Sequence, residues 1–186
     1  APAGTSVFDH SIWVICSDGD LQEGVSAEAS SLAGTQELGA LNLIYDDNRI
    51  SIEGDTHNAF TEDVSARYRA YGWHVIDVAA AANGSVDIAA LDAALVAAKK
   101  ETTKPSLIRM KSVIAWPAPK AQGTAGSHGS ALGDEEIAAT KVALGLNPEE
   151  KFAMPADVLA HARLVKERGA KVRKEWDTKF ATWQTT

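Results

Sequence analysis

The run Ile12-Trp13-Val14-Ile15-Cys16-Ser17-Asp18-Gly19-Asp20-Leu21-Gln22-Glu23-Gly24 decides the fold. Residues 12–16 are short, apolar and largely β-branched, and they read as a buried strand. Ser17-Asp18-Gly19-Asp20 reads as the turn that ends it. From about 21 to 38 the spacing of Leu21, Val25, Ala29 and Leu32 predicts a helix with one apolar face, stopped at Gly39. Working outward, residues 41–45 form a second apolar strand, closed by Asp46-Asp47-Asn48, and 49–61 read as loop. Residues 62–71 are a helix ended by Gly72, and 73–78 a third strand. An alanine-rich helix over 85–100, with Ser85 as N-cap, leads to a fourth strand at 105–113. Strands alternating with helices predict an α/β domain with a largely parallel sheet and flanking helices.

From 115 to 133 the pattern changes. Pro117, Pro119, Gly123, Gly126, Gly129 and Gly133 break any regular element. A loop of that length in a compact domain is functional or disordered. Residues 134–144 and 156–183 read as helices, the second carrying Trp176, Phe180 and Trp183 near its end, and Trp116, Trp176 and Trp183 read as packing residues.

Composition narrows the class. A chain of 186 residues with 45% hydrophobic and 23% charged residues can bury one sizeable core. A net charge of −7 argues against nucleic acid or an anionic membrane as partner. Residues 156–186 hold seven Lys/Arg and four Asp/Glu, a net +3, so the first 155 carry −10. A solvated helix face explains the basic tail better than a docking site does. Cys16 is the only cysteine, reads as a small core residue, and fits a reducing compartment, here the cytoplasm. No stretch reaches the 18 or so apolar residues of a membrane span, and no secretory leader opens the chain. It begins Ala1-Pro2-Ala3-Gly4, so the true N-terminus is expected to lie upstream.

The chemistry gathers at two strand ends. Asp18 closes the first strand and Asn48 the second, 30 positions later with one helix between. In a parallel sheet both carboxyl ends face the edge where ligands bind. A carboxylate and an amide oxygen are hard ligands, suited to magnesium held partly by phosphate oxygens. Gly19 lets the backbone approach a phosphate, and the helix from Leu21 aims its N-terminus at the same point. By itself an acidic turn is more often solvated. A histidine in a glycine-rich loop, such as His128, is more often exposed without function. Glu23 and Glu28, five apart, share no helix face well, and His74 reads as a half-buried strand residue.

Ser17-Asp18-Gly19-Asp20 followed by Asp46-Asp47-Asn48 resembles the Gly-Asp-Gly…Asn signature of thiamine-diphosphate enzymes. Four further runs are similar to transketolases in order: 28–34 (EASSLAG), 44–52 (IYDDNRISI), 67–73 (RYRAYGW) and Ser127-His128-Gly129. The resemblance covers nearly the whole chain. It implies the thiamine-diphosphate-binding fold, incomplete at both ends. Residues 1–133 would be part of the diphosphate- and magnesium-binding domain. Residues 134–186 would be a helical tail and the start of the linker to a pyrimidine-binding domain. It implies an enzyme that transfers a two-carbon ketol unit between sugar phosphates in the pentose phosphate pathway, as a homodimer. The cofactors implied are thiamine diphosphate and Mg2+, with Ca2+ or Mn2+ as substitutes.

The resemblance also assigns roles at matching positions. Asp18, the Asn48 side chain and the Ile50 carbonyl would ligate the metal. Gly19 would offer its amide to the diphosphate, and Ile52 would pack on the thiazolium ring. Glu23 and Glu28 would join an acidic cluster at the dimer interface, linked to the aminopyrimidine. His128 would lie by the diphosphate and the substrate carbonyl, positioning or transferring protons. Ser17 and Ala115 stand where the family usually has glycine. The family's upstream histidines and its downstream activating glutamate have no match, so these residues alone are expected not to turn over. Two other readings stay open. An Asp-x-Asp phosphatase-like hydrolase fits Asp18 and Asp20, although Gln22 is not the Thr or Val that family places there. A non-catalytic dimerisation remnant would use the small residues of 24–34 for close helix contacts.

Overall fold

A computed structural model describes residues 6–185, so the opening Ala1-Pro2-Ala3-Gly4 lies outside the described residues. In chain order the elements are β1 (Ile12–Ser17), α1 (Asp18–Gln22), α2 (Gly24–Thr35), β2 (Leu41–Asp47), β3 (Ile50–Ser51), β4 (Gly54–Asp55), α3 (Val64–Ala70), β5 (His74–Val78), α4 (Ile88–Lys100), β6 (Ser106–Lys111), α5 (Asp134–Ala143) and α6 (Ala156–Gln184). Four strands form one sheet in the order β1-β2-β6-β5, and every pairing in it is parallel. This is the α/β architecture that the alternating pattern predicts.

The centre of the sheet explains the core. Side chains alternate faces along a strand, so the fully buried Leu107 and Ile108 of β6 feed two separate clusters. Leu107 packs with Cys16, Leu21, Leu43, Tyr45, Val64, Tyr68 and Trp73. Ile108 packs with Val78, Ala94 and Ala98. A sheet covered on both faces reads as continuous apolar strands, which is how β2 and β6 could be found.

Several local expectations change. The helix expected over 21–38 is two helices, because Glu23 is extended (φ −68°, ψ 133°) between α1 and α2. The stripe of Leu21, Val25, Ala29 and Leu32 does not face inward as a unit. Leu21 is buried, but Val25 and Leu32 are 68% and 60% exposed, and α2 buries Ser30 and Ala33 instead. Small residues face inward because the helix packs against backbone. A Cβ on Gly34 would stand 1.8 Å from the Tyr71 carbonyl oxygen. Among the described residues β1 is an edge strand rather than a buried one, paired with β2, and Ile12 to Ile15 are exposed. The cap of α4 is Asp87, whose carboxylate accepts from the Ala90 amide at 3.0 Å, while the Ser85 hydroxyl turns to Asn83. The 49–61 loop contains the antiparallel β3–β4 hairpin and a 3-10 turn at Thr56–Asn58.

The chain divides into two compact units, one spanning Ser11–Pro148 and one made of the first ten residues with Glu149 onward. The helix α5 belongs to the sheet-containing unit. Its Glu136 accepts hydrogen bonds from the Lys120 and Ala121 amides at 2.6 and 2.8 Å. In the other unit, Trp176 Nε1 donates to the Val7 carbonyl at 2.9 Å. Trp176 stacks on Phe180, and Phe8 meets Trp183 edge-on. Trp176 and Trp183 of α6 are therefore packing residues, as read from the sequence, and Phe180 joins them.

Candidate functional site

The register pairs Ser17 with Asp46, which sets the carboxyl ends of β1 and β2 side by side. The next residue of the first strand is Asp18, the first residue of α1, and it is 1% exposed. The Tyr45 hydroxyl donates to Asp18 Oδ1 at 2.6 Å, and the Arg49 amide donates to Oδ2 at 3.0 Å. Arg49 reaches that position in a left-handed conformation (φ 61°), which costs a non-glycine residue about 1 kcal/mol. No cation pairs with Asp18 among the described residues. Burial raises its pKa above the usual aspartate value. The bonds from Tyr45 and Arg49 oppose that shift, and the nearby Asp47 charge adds to it. The result is a buried carboxylate, fixed in orientation, with lone pairs to spare and no positive counterpart. A bound divalent cation relieves that condition.

Asn48 is held just as firmly. Its Nδ2 donates to Asp46 Oδ2 at 3.2 Å, and its Oδ1 accepts from the Ile50 amide at 2.9 Å. The other Asp46 oxygen accepts from the Ser112 hydroxyl. A carboxylate only accepts, so Asp46 selects the NH2 end of the Asn48 amide and fixes where its oxygen lies. The Asp18–Arg49 and Asn48–Ile50 bonds bring Asp18, Asn48 and Ile50 into one cluster. Gly19 is exposed, and a Cβ added there would meet no protein atom within 4 Å. Ile52 lies in the turn of the β3–β4 hairpin and is 71% exposed. The helix expected to aim at a phosphate is α1, only five residues long, so its macrodipole contributes little.

One rung inward stands Asp47, also buried at 2% exposure. Arg109 reaches its Oδ2 through Nε and NH2, both at 2.7 Å, and Lys111 Nζ lies 3.1 Å away. Arg49 Nε is 3.7 Å from the other oxygen. Arg109 also lies 3.7 Å from Asp77. Burial pushes the Asp77 pKa up, but bonds from Ser65 and Arg69 outweigh it and hold the carboxyl below its usual range. A cavity of about 230 Å³ opens beside these groups, with Asp18, Tyr45, Asp47, Arg49 and Arg109 in its wall.

Sequence reading passed over Tyr45, Arg49, Arg109 and Lys111. A signal was present. Arg109 and Lys111 are two apart in an otherwise apolar strand, so they share one face. A buried strand carries such a pair only where an anion answers it.

The remaining predicted residues stand elsewhere. Glu23 lies between α1 and α2, Glu28 is in α2, and both are exposed. His128 ends the 3-10 turn Ala125–Ser127, is exposed, and does not line the cavity at Asp18. His74 is half-buried, with Nδ1 3.1 Å from the Ser106 hydroxyl. Burial, then the charges of Asp20, Asp18 and Asp46, push the Cys16 thiol up to about 12, so it is inert. Ser17 keeps φ at −120°, where a side chain adds no strain. Ala115 instead adopts φ 57°, the conformation glycine favours.

Among the described residues no three His, Cys, Asp or Glu side chains converge on a possible metal position. A cation here would rest on Asp18, the Asn48 amide oxygen, a backbone carbonyl and oxygens from outside the protein. That set suits magnesium, which keeps most of its shell for phosphate and water. The buried, uncompensated Asp18 fits it.

Comparison with known proteins shows the family. A family described as "Transketolase, thiamine diphosphate binding domain" matches residues 1–186. The transketolase of Mycobacterium leprae is 47% identical over 183 residues, covering 98% of this chain and 26% of that protein. The solved transketolase of Pichia stipitis in complex with sedoheptulose-7-phosphate superposes with a TM-score of 0.87 at 45% identity, over 97% of this chain and 26% of that one. The Leishmania mexicana enzyme gives 0.87 at 39% identity, over 98% and 27%. The chain thus spans about a quarter of the length of the relatives it matches. With the strand-end site and these matches together, the chain belongs to the transketolase family, within its thiamine diphosphate binding domain.

Proposed function

We propose that this chain is the cofactor-holding part of an enzyme that moves a two-carbon ketol unit between sugar phosphates in the pentose phosphate pathway. The observation that carries the reading is Asp18, a buried carboxylate with no cation beside it among the described residues, held at the sheet edge beside Asn48 in a chain of this family. Thiamine diphosphate, when bound, supplies the carbanion chemistry. The protein's part is to hold, orient and exchange protons. Asp18, Asn48 Oδ1 and the Ile50 carbonyl hold Mg2+, with Ca2+ or Mn2+ as substitutes, and the Gly19 amide donates to the diphosphate. Ile52 offers an apolar contact to the thiazolium ring from the hairpin turn. His128 holds or moves a proton at the substrate carbonyl oxygen. Glu23 and Glu28, exposed on and beside α2, belong to an acidic cluster at a homodimer interface.

A cytoplasmic location is part of the same proposal, supported by the single buried thiol. Among the described residues no helix is long and apolar enough to cross a membrane. Because the relatives are about four times longer, residues 1–186 alone are proposed not to turn over.

The test is Asp18→Ala in the complete polypeptide that carries these residues. Magnesium-dependent binding of thiamine diphosphate, followed by tryptophan fluorescence, is expected to disappear. Unchanged cofactor affinity would falsify the assignment.

A further inference from the structure

We infer that Tyr45 is a positioning residue for the metal site: its hydroxyl holds the Asp18 carboxylate in the orientation that receives a divalent cation. The inference rests on the reading of Asp18 as a metal ligand. It adds a residue that touches neither metal nor cofactor.

Tyr45 is 2% exposed, and its ring is locked among Cys16, Leu21, Leu43, Val64 and Tyr68. A ring fixed that firmly delivers its hydroxyl to one place. Two carboxylates lie within reach there, Asp18 Oδ1 at 2.6 Å and Asp47 Oδ1 at 3.5 Å. A phenol has one proton to give. Asp47 is already answered by Arg109 at 2.7 Å and Lys111 at 3.1 Å, so its charge does not compete strongly for that proton. Asp18 has no cation among the described residues, and it is the closer acceptor. The proton therefore goes to Asp18 Oδ1.

On the other side the Arg49 amide donates to Asp18 Oδ2. The carboxylate is clamped at both oxygens, one lone pair on each is spent, and one on each is left. The arrangement fixes the side chain without neutralising it. Either donor alone would leave the group free to turn about its last bond. A lysine or arginine in place of Tyr45 would neutralise it and exclude a second cation. Outer partners that orient a ligating carboxylate are typically worth 10–100-fold in metal affinity.

The same core supplies its own control. Tyr68 is 1% exposed and belongs to the same cluster as Tyr45, and its hydroxyl accepts from the Ser30 hydroxyl at 3.0 Å. It differs in meeting no carboxylate. Removing a phenolic oxygen at each position is thus the same chemical change in the same core, with and without contact to Asp18.

The experiment titrates Mn2+ into the complete polypeptide at saturating thiamine diphosphate, counting free ion by electron paramagnetic resonance. Tyr45→Phe is expected to raise the Kd for Mn2+ by roughly 10-fold or more. Ketol transfer lost at limiting metal should return as metal is raised. Tyr68→Phe should leave the Kd within about twofold of the parent. Equal Kd values for Tyr45→Phe and the parent would overturn the inference. So would an equal rise in both variants, which would assign the effect to core stability. Asp18→Ala is the third arm. If it still bound Mn2+ as tightly as the parent, the ligand assignment itself would fall. If it lost the ion while Tyr45→Phe kept full affinity, only the role of Tyr45 would.

Discussion

Two aspartates, one at each of two neighbouring strand ends, are buried almost equally and treated in opposite ways. Asp18 is 1% exposed and Asp47 is 2% exposed. Asp47 meets Arg109, Lys111 and Arg49. Asp18 meets a phenol and a backbone amide. A buried charge with its counter-charge in the fold is a structural element, and removing one partner strands the other. A buried charge held by neutral donors is incomplete, and what completes it comes from outside. Burial alone therefore does not tell a structural carboxylate from a functional one. The company it keeps does.

The comparison can be broken most forcefully at Asp47. Asp47→Ala leaves Arg109 and Lys111 half-buried and short of their main partner, and it should destabilise the protein by roughly 3 kcal/mol. Urea or thermal unfolding measures this directly. A loss under about 1 kcal/mol would mean that the Arg109–Asp47 pair is not a structural element.

His128 sharpens the comparison from the other side, as an exposed residue of the 115–133 loop with no core contacts to lose. If it handles a proton at the substrate carbonyl, His128→Ala in the complete polypeptide should lower turnover by roughly 10²-fold. The melting temperature should stay put. A collapse of stability with the rate per folded molecule intact would make His128 structural.

The smallest expected effect is at Ala115. Its φ of 57° strains an alanine and suits a glycine. Ala115→Gly should stabilise by about 0.5–1 kcal/mol, read as a shift in the urea midpoint at constant slope. A destabilised Ala115→Gly would show that the loop tolerates the alanine without strain.

How much of this could be read from the sequence varied with the range of the interaction. The central strands were legible because a strand buried on both faces carries an apolar run, Leu43-Ile44-Tyr45 in β2 and Leu107-Ile108 in β6. Asp18 and Asn48 were legible because each lies in the polar stretch that follows an apolar run, Ser17-Asp18 after 12–16 and Asp46-Asp47-Asn48 after 41–45, and the parallel arrangement brings both to one edge. The exposure of β1 was not legible. An edge strand and a central one can share composition, and only sheet order separates them. The break at Glu23 is marked only by the adjacent Gly24, which opens α2 instead of closing a helix. The Asp47–Arg109 pair joins residues 62 apart and depends on β2 and β6 being neighbours. The register also sets Tyr45 opposite Cys16, beside the end of β1, and no local pattern contains that fact.

The central claim is that Asp18 is left unneutralised for a cation. Because its pKa is raised in the fold, the ionised form costs stability. That stability is fully present below the ordinary aspartate pKa and is lost as pH rises through the folded value. Replacing the charge by an isosteric amide should then relieve the metal-free protein at neutral pH. In Asp18→Asn the amide oxygen can still accept from the Arg49 amide, and its NH2 can donate to Tyr45 Oη. The direct measurement is the melting temperature at pH 7 of the complete polypeptide, parent and Asp18→Asn, metal-free and with saturating Mg2+ and thiamine diphosphate. The account predicts a metal-free variant at or above the parent, with no gain on adding metal and cofactor while the parent gains. A metal-free variant that melts well below the parent, or one that gains as much as the parent on loading, would contradict it.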